Sequence, residues 1–214
     1  MGKKTARSRR YLRSRITRKL ILDTAREVFL KKGYAKTTIT SISEEAGVGY
    51  GTVYSHFKGK DDLLNKIVDH VMEGFLELLH QNYQIEEHRD LHYIFKKQID
   101  AVFERATEHR LILKVLKEAL GQSDSILEHW NQVLHEFVDG ATRIINVSHK
   151  KNLLKPLDAR VSAKALILMV ESFFWEVVHE EETNLPVLSE TVTRLFLEGL
   201  TGQEKPAIKT LQQP

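Results

Sequence analysis

Between residues 36 and 60 the chain gathers side chains that can bond a polyanion. Lys36, Thr37, Thr38 and Thr40 come first, then Tyr54, His56, Lys58 and Lys60. Hydroxyls, amines and backbone N–H groups at helix starts are the groups that hold phosphate. Ahead of them, residues 1–20 carry nine Lys and Arg and no acid, within a chain of net charge +3. The remaining chain is therefore net acidic. A basic arm on an acidic body points to a polyanion partner for the arm, with a solubilising tail as the plain alternative. Covalent chemistry finds little support. There is no cysteine, no G-x-S-x-G and no H-E-x-x-H. His88 and His92 stand four apart beside Glu86, Glu87 and Asp90, a spacing a metal could use. In so polar a stretch they read as a solvated loop and helix start, as does the HEEE run at 179–182. No catalytic residue, metal or cofactor is expected.

The elements that would position these groups are helical. The 214 residues contain four prolines and 42% hydrophobic residues, enough for one large domain or two small ones. Ile21, Ala25, Val28 and Phe29 make one helical face, which Gly33 ends. Ile39, Ile42 and Ala46 mark a shorter helix, with Thr40 as its expected N-cap. Val53 and Phe57 mark a third, and Leu64, Ile67, Val68, Val71 and Phe75 a long one over residues 60–80. Further helices are expected from Asp90 to about 107, over 110–120, from a Ser125/Glu128 capping box to about 147, from Asp158 to about 180, and after Pro186 to about 199–202. This is an all-α chain of about nine helices with no trusted strand. No apolar run reaches the ~18–20 residues that cross a bilayer, and the basic start lacks an apolar segment behind it. Cytoplasmic localisation is expected.

The stretch GVGYGTVYSHFKGK, residues 47–60, sits between two of the short helices. It matches neither a phosphate loop nor a dinucleotide loop. Gly47 can take φ > 0 and end one helix, and the next begins near Gly49–Gly51. Helix, glycine turn, helix is the helix-turn-helix layout, whose second helix enters a major groove.

Residues 21–64 then resemble the N-terminal domain of the TetR (tetracycline repressor) family of bacterial transcriptional regulators. The resemblance is carried by Ala25 and Phe29, Gly33-Tyr34, Thr37-Thr38, Ile42, Ala46-Gly47-Val48, Gly51-Thr52, Tyr54, Phe57, Lys60-Asp61 and Leu63-Leu64. It covers about residues 16–75. It implies a DNA-binding domain at 16–62 and a helical effector-binding and dimerisation domain at 63–202, while the basic arm at 1–15 and the tail at 203–214 are expected from their own composition to be disordered. Carried over by position, Thr38 bonds a phosphate, Thr52, Tyr54 and Lys58 touch the DNA backbone, and Lys60 lies near a phosphate. Gly49, Tyr50, Gly51, Ser55 and His56 line the groove side, and Thr40 joins the hydroxyls of the first of these helices. This chain departs from many relatives in having Gly49-Tyr50 where they have Ser-Lys, and Gly59 where they have Ser or Asn.

Behind this domain Phe95, Phe103, Trp130, Phe137 and Phe173 are candidate lining for an apolar effector cavity, with ordinary core packing as the alternative. The helices at about 159–180 and 187–200 are apolar on more than one face, which suits a homodimer interface. The resemblance implies a repressor released from a palindromic operator by a small, largely apolar effector, with the 60–80 helix as the lever. The alternatives are an activator of the same family, a non-specific architectural DNA binder, or an enzyme or carrier using the cavity.

Overall fold

The computed structural model describes residues 2–79, 81, 83–180 and 182–201. Among them are nine helices and no strand. They are α1 Gly2–Lys36, α2 Ile39–Glu45, α3 Tyr50–Tyr54, α4 Lys60–Leu79, α5 His88–Glu108, α6 Arg110–Leu120, α7 Asp124–Lys150, α8 Ala159–His179 and α9 Leu185–Thr201. No helix among the described residues is long and apolar enough to cross a membrane. The helices form two compact units, one of residues 1–74 with 105–134 and one of 75–104 with 135–214. The first is larger than the 16–62 domain that the motif suggests, because α6 and the start of α7 pack into it.

In the first unit α1 packs on α2 and α6, and α2 packs on α3. Ile21, Ala25, Val28 and Phe29 of α1 are buried with Ile42, Val53 and Phe57. Ile112, Leu113, Leu116 and Ala119 of α6 are buried as well. Burying apolar area of this kind is the main stabilising term for such short helices, which are marginal alone. Gly33 breaks α1 at φ 73°, ψ 177°. The positive φ is as expected, but the extended ψ is not the left-handed helical cap, and one more turn continues to Lys36. The break frees the N–H groups of Tyr34 and Ala35, and both donate to the Glu118 carboxylate of α6 at 2.9 and 3.0 Å.

In the second unit α8 packs on α9. Leu91, Phe95, Ile99 and Phe103 of α5 are buried, as are Leu166, Val170, Phe174, Val177 and Val178 of α8. Val161, Ala165, Leu168 and Ser172 leave an exposed, uncharged stripe on α8. Val187, Thr191, Leu195 and Gly199 leave another on α9.

Several helix starts differ from the sequence expectation. α2 is capped by Thr38, not Thr40, because Ser41 three residues on completes a capping box that a search for Glu or Gln overlooks. α5 begins at His88, and Asp90 reaches back to accept from the N–H groups of Glu86 and Glu87 at 2.7 and 3.0 Å. α7 begins at Asp124, with the Ser123 hydroxyl accepting from Ile126 at 3.3 Å, so Ser125 and Glu128 are not its box. α9 takes in Pro186 in its first turn, where a missing N–H costs nothing, and Asn184 caps it. α1 runs back to Gly2 where the sequence suggests a disordered arm. Residues 3–32 hold no glycine or proline and many Arg, Lys, Leu and Ala, so nothing in them stops a helix. The expected tail at 203–214 lies outside the described residues.

Candidate nucleic-acid interface

The interface is built from the turn between α2 and α3. Thr38 Oγ1 accepts from the Ser41 N–H at 3.1 Å, and the Ser41 hydroxyl donates to the Thr38 carbonyl at 2.9 Å. The Thr38 side chain is used as an acceptor here, so its own O–H remains a donor. At the far end of α2, Gly47 takes φ 64°. Its N–H donates to Glu44 at 3.2 Å and the Val48 N–H to Ser43 at 3.0 Å. That pair of bonds is a Schellman ending, and it reverses the chain within two residues. Gly49, at φ −66° and ψ 145°, then caps α3 without a side chain.

α3 is held from below by Val53 and Phe57, both buried. Arg18 of α1 secures the chain just beyond α3. Its guanidinium donates to the His56 carbonyl at 2.8 Å and lies 4.2 Å from the Phe57 ring centroid. Arg18 counts as one more arm charge in the sequence, yet here it is a staple between α1 and the end of the helix-turn-helix. The entry to α4 is also fastened. The Asp62 carboxylate accepts from the Lys58 N–H at 2.9 Å. This makes good the cap that Gly59 lacks, and the acidic first turn of α4 is its visible signal.

The predicted DNA-binding residues separate by exposure. Thr38, Thr40, Gly49, Tyr50, Gly51, Tyr54, Ser55 and Lys58 are exposed, and Thr52 and His56 are half-buried. Tyr50 and Tyr54 stand at 53% and 46% exposure. Their ring centroids are 4.9 Å apart and the Tyr50 hydroxyl donates to the Tyr54 hydroxyl at 3.3 Å. Lys60 differs from the others. Its ammonium donates to the Tyr34 carbonyl at 3.0 Å and lies 4.0 Å from the Tyr34 ring centroid, so it first serves the joint between α1 and α4. The Tyr34 hydroxyl donates to Asp61 at 2.6 Å, and Ser123 donates to the other Asp61 oxygen at 2.7 Å. Burial, with the Asp61 bond second, pushes the Tyr34 pKa up to about 12. Arg18, Glu118, Asp61 and Ser123 carry no signal of these roles in the sequence. Each acts on a residue far along the chain.

The candidate effector residues divide between the two units. Phe95, Phe103, Phe137 and Phe173 belong to the second unit and Trp130 to the first. Phe95 and Phe103 are fully buried, and Phe95 meets Phe196 edge-on at 5.4 Å, a packing contact. An open cleft of about 430 Å³ in the second unit is lined instead by His88, Leu91, His92, Glu190, Arg194 and Leu197. His92 there bonds Glu190 at 3.2 Å.

Residues 21–67 match the family model described as bacterial regulatory proteins, tetR family, and residues 95–202 match that of the transcriptional regulator EthR, C-terminal domain. The fatty acid metabolism regulator protein of Bacillus subtilis is 23% identical over 184 residues, 84% of this chain and 93% of that one. The transcriptional repressor BepR of Brucella suis is 26% identical over 172 residues, 78% and 82% of the two chains. Among solved structures, SmeT, the repressor of the Stenotrophomonas maltophilia multidrug efflux pump SmeDEF, has the same fold. Its TM-score is 0.71 at 22% identity over 92% of this chain and 96% of that one. The SmeT–triclosan complex gives 0.73 at 22% identity over 93% and 98%. With both family models matched in order, the chain belongs to the TetR family of transcriptional regulators, proteins that bind DNA operators and small-molecule effectors and are not enzymes.

Proposed function

We propose that this protein is a cytoplasmic repressor that binds a palindromic operator as a homodimer and leaves it when a small, largely apolar effector binds. The observation that carries the reading is the exposed face of α3. It stands on a glycine-ended turn, is anchored by two buried side chains and is bordered by exposed hydroxyls and Lys58. Thr38, Thr40, Thr52, Tyr54 and Lys58 contact the DNA backbone in this reading, Lys60 turns a spare donor toward it, and Gly49, Tyr50, Gly51, Ser55 and His56 face the groove. BepR and SmeT are both repressors, which supports repression over activation. The SmeT–triclosan complex supports an apolar effector. Phe95, Phe103, Phe137 and Phe173 of the second unit remain its candidate contacts. The uncharged stripes on α8 and α9 support these helices as the dimer interface.

The test is selection of genomic fragments with the purified protein, followed by footprinting at near-physiological salt. A protected palindrome with half-sites about one helical turn apart, or a multiple of it, is the expected result. Protection without symmetry or sequence preference replaces it with non-specific architectural binding.

A further inference from the structure

Resting on the reading of α3 as the DNA-reading helix, we propose that Tyr50 and Tyr54 form one recognition unit. In it the Tyr50 ring reads the 5-methyl group of a thymine in each half-site. The first ground is what the helix lacks. Guanine is read by paired donors from Arg or Lys, adenine by Asn or Gln, and cytosine by an acid, while thymine alone presents a methyl group in the major groove. Residues 47–60 contain no Arg, Asn, Gln, Asp or Glu. Lys58 and Lys60 come after α3, and Lys60 is held on Tyr34. The exposed side chains of α3 itself are two tyrosines, with Thr52 half-buried between them.

The second ground is the bare backbone around Tyr50. A Cβ on Gly51 would meet nothing within 4 Å, and one on Gly49 only the Thr52 hydroxyl at 3.6 Å. Gly49 has an ordinary φ of −66°. Neither packing nor backbone conformation within the chain calls for glycine at these two positions. Two glycines either side of an exposed ring allow base edges to come close to the helix, so the ring can lie against them.

The third ground is order. The hydroxyl bond at 3.3 Å and the 4.9 Å ring contact hold Tyr50 in place before DNA arrives, which lowers the entropy lost on binding. A bond between two hydroxyls uses only one of their two hydrogens, so the pair keeps one O–H to donate to a phosphate. One ring contact and one phosphate bond are thus set at a fixed spacing.

The experiment starts from a random duplex pool selected with the full-length protein. Each thymine of the enriched half-site is then replaced singly by deoxyuridine, which removes only the methyl group. One thymine per half-site is expected to lose about four-fold in affinity, the equivalent of one buried methyl. Tyr50→Phe keeps the ring and should keep that loss. Tyr50→Ala should bind more weakly and show no difference between thymine and deoxyuridine there. Both substitutions are at an exposed position, and an unchanged melting temperature checks the fold. If no thymine is sensitive, or if Tyr50→Ala keeps the same sensitivity, the proposal is overturned. A pool in which no sequence is enriched overturns the regulator reading itself, and the thymine contact with it.

Discussion

Glu118 and Gly33 show how one side chain and one missing side chain share a task. Gly33 has φ 73°, and a Cβ on it would come within 2.8 Å of the Glu118 carboxylate. Gly33→Ala therefore combines a left-handed backbone cost with displacement of an acceptor. We expect a loss of more than about 1 kcal/mol in urea denaturation, since alanine at positive φ is unfavourable. The Glu118 carboxyl lies below its ordinary pKa of 4.5, first because it accepts the Tyr34 and Ala35 N–H groups. A carboxylate with a depressed folded pKa stabilises fully above its unfolded value and loses that contribution as pH falls through the folded one. Glu118→Ala should thus cost about 0.5–1 kcal/mol at pH 7, the lower part of the range for a missing cap because the group is exposed to solvent. The gap to the parent should close below about pH 4.5. A gap that stays constant down to the acid transition argues against the cap. Gly51 gives the opposite case. It sits within α3 with open space around it, so Gly51→Ala should raise stability by about 0.5–1 kcal/mol. The same change should weaken operator binding by holding the helix off the bases, and gel-shift titration reads that weakening.

The elements carry a different lesson, because their sequence signals are local and their fastenings are not. The glycine turn, the Val53 and Phe57 anchors, the long α4 and the Asp158 cap of α8 are legible, since each rests on residues within a turn or two. The Arg18–His56, Glu118–Tyr34 and Ser123–Asp61 bonds are not, because they join positions 38, 84 and 62 residues apart. The caps of α2 and α7 fall two residues from their expected places because Ser, Thr and Asp recur nearby and any of them can cap. The exposed face of the candidate site is readable residue by residue. The pairing of Tyr50 with Tyr54 and the diversion of Lys60 to Tyr34 emerge only in three dimensions. The α1 extension changes how the basic arm acts. A helix is about 10–12 Å across and the minor groove about 6 Å wide, so on bound DNA a helical extension would meet phosphates and not enter that groove. Deleting residues 1–15 removes seven Lys and Arg and leaves Arg18 on His56. Affinity for all DNA should fall, and the slope of log K against log salt should become shallower by about 0.9 for each phosphate no longer neutralised. An unchanged slope means that the extension touches no DNA.

For the whole molecule the central question is why one helix-turn-helix is not enough. An α3 of five residues offers few side chains to a groove, so the proposed operator reading calls for two heads joined at a fixed spacing. The join needs an apolar surface that one chain leaves uncovered. Val161 and Leu168 on α8 are 67% and 55% exposed, and Leu195 on α9 is 62% exposed, with Lys164 on α8 and the Arg194–Glu198 pair on α9 exposed at their edges. Two copies of this face brought together would bury these apolar side chains in a two-fold, self-complementary contact. Leu168→Glu places a charge in that contact without touching the core behind it. It should convert the species seen by sedimentation from twice 24.7 kDa to 24.7 kDa while leaving the helical circular dichroism intact. Operator affinity should then fall by about 10²-fold or more, the factor expected when two linked contacts become independent. Affinity for a duplex carrying one half-site should stay the same, because each head is unchanged. A Leu168→Glu protein that remains dimeric moves the interface to another face. A monomer that still holds the full operator as tightly as the parent removes the need for a dimer, and the palindrome with it.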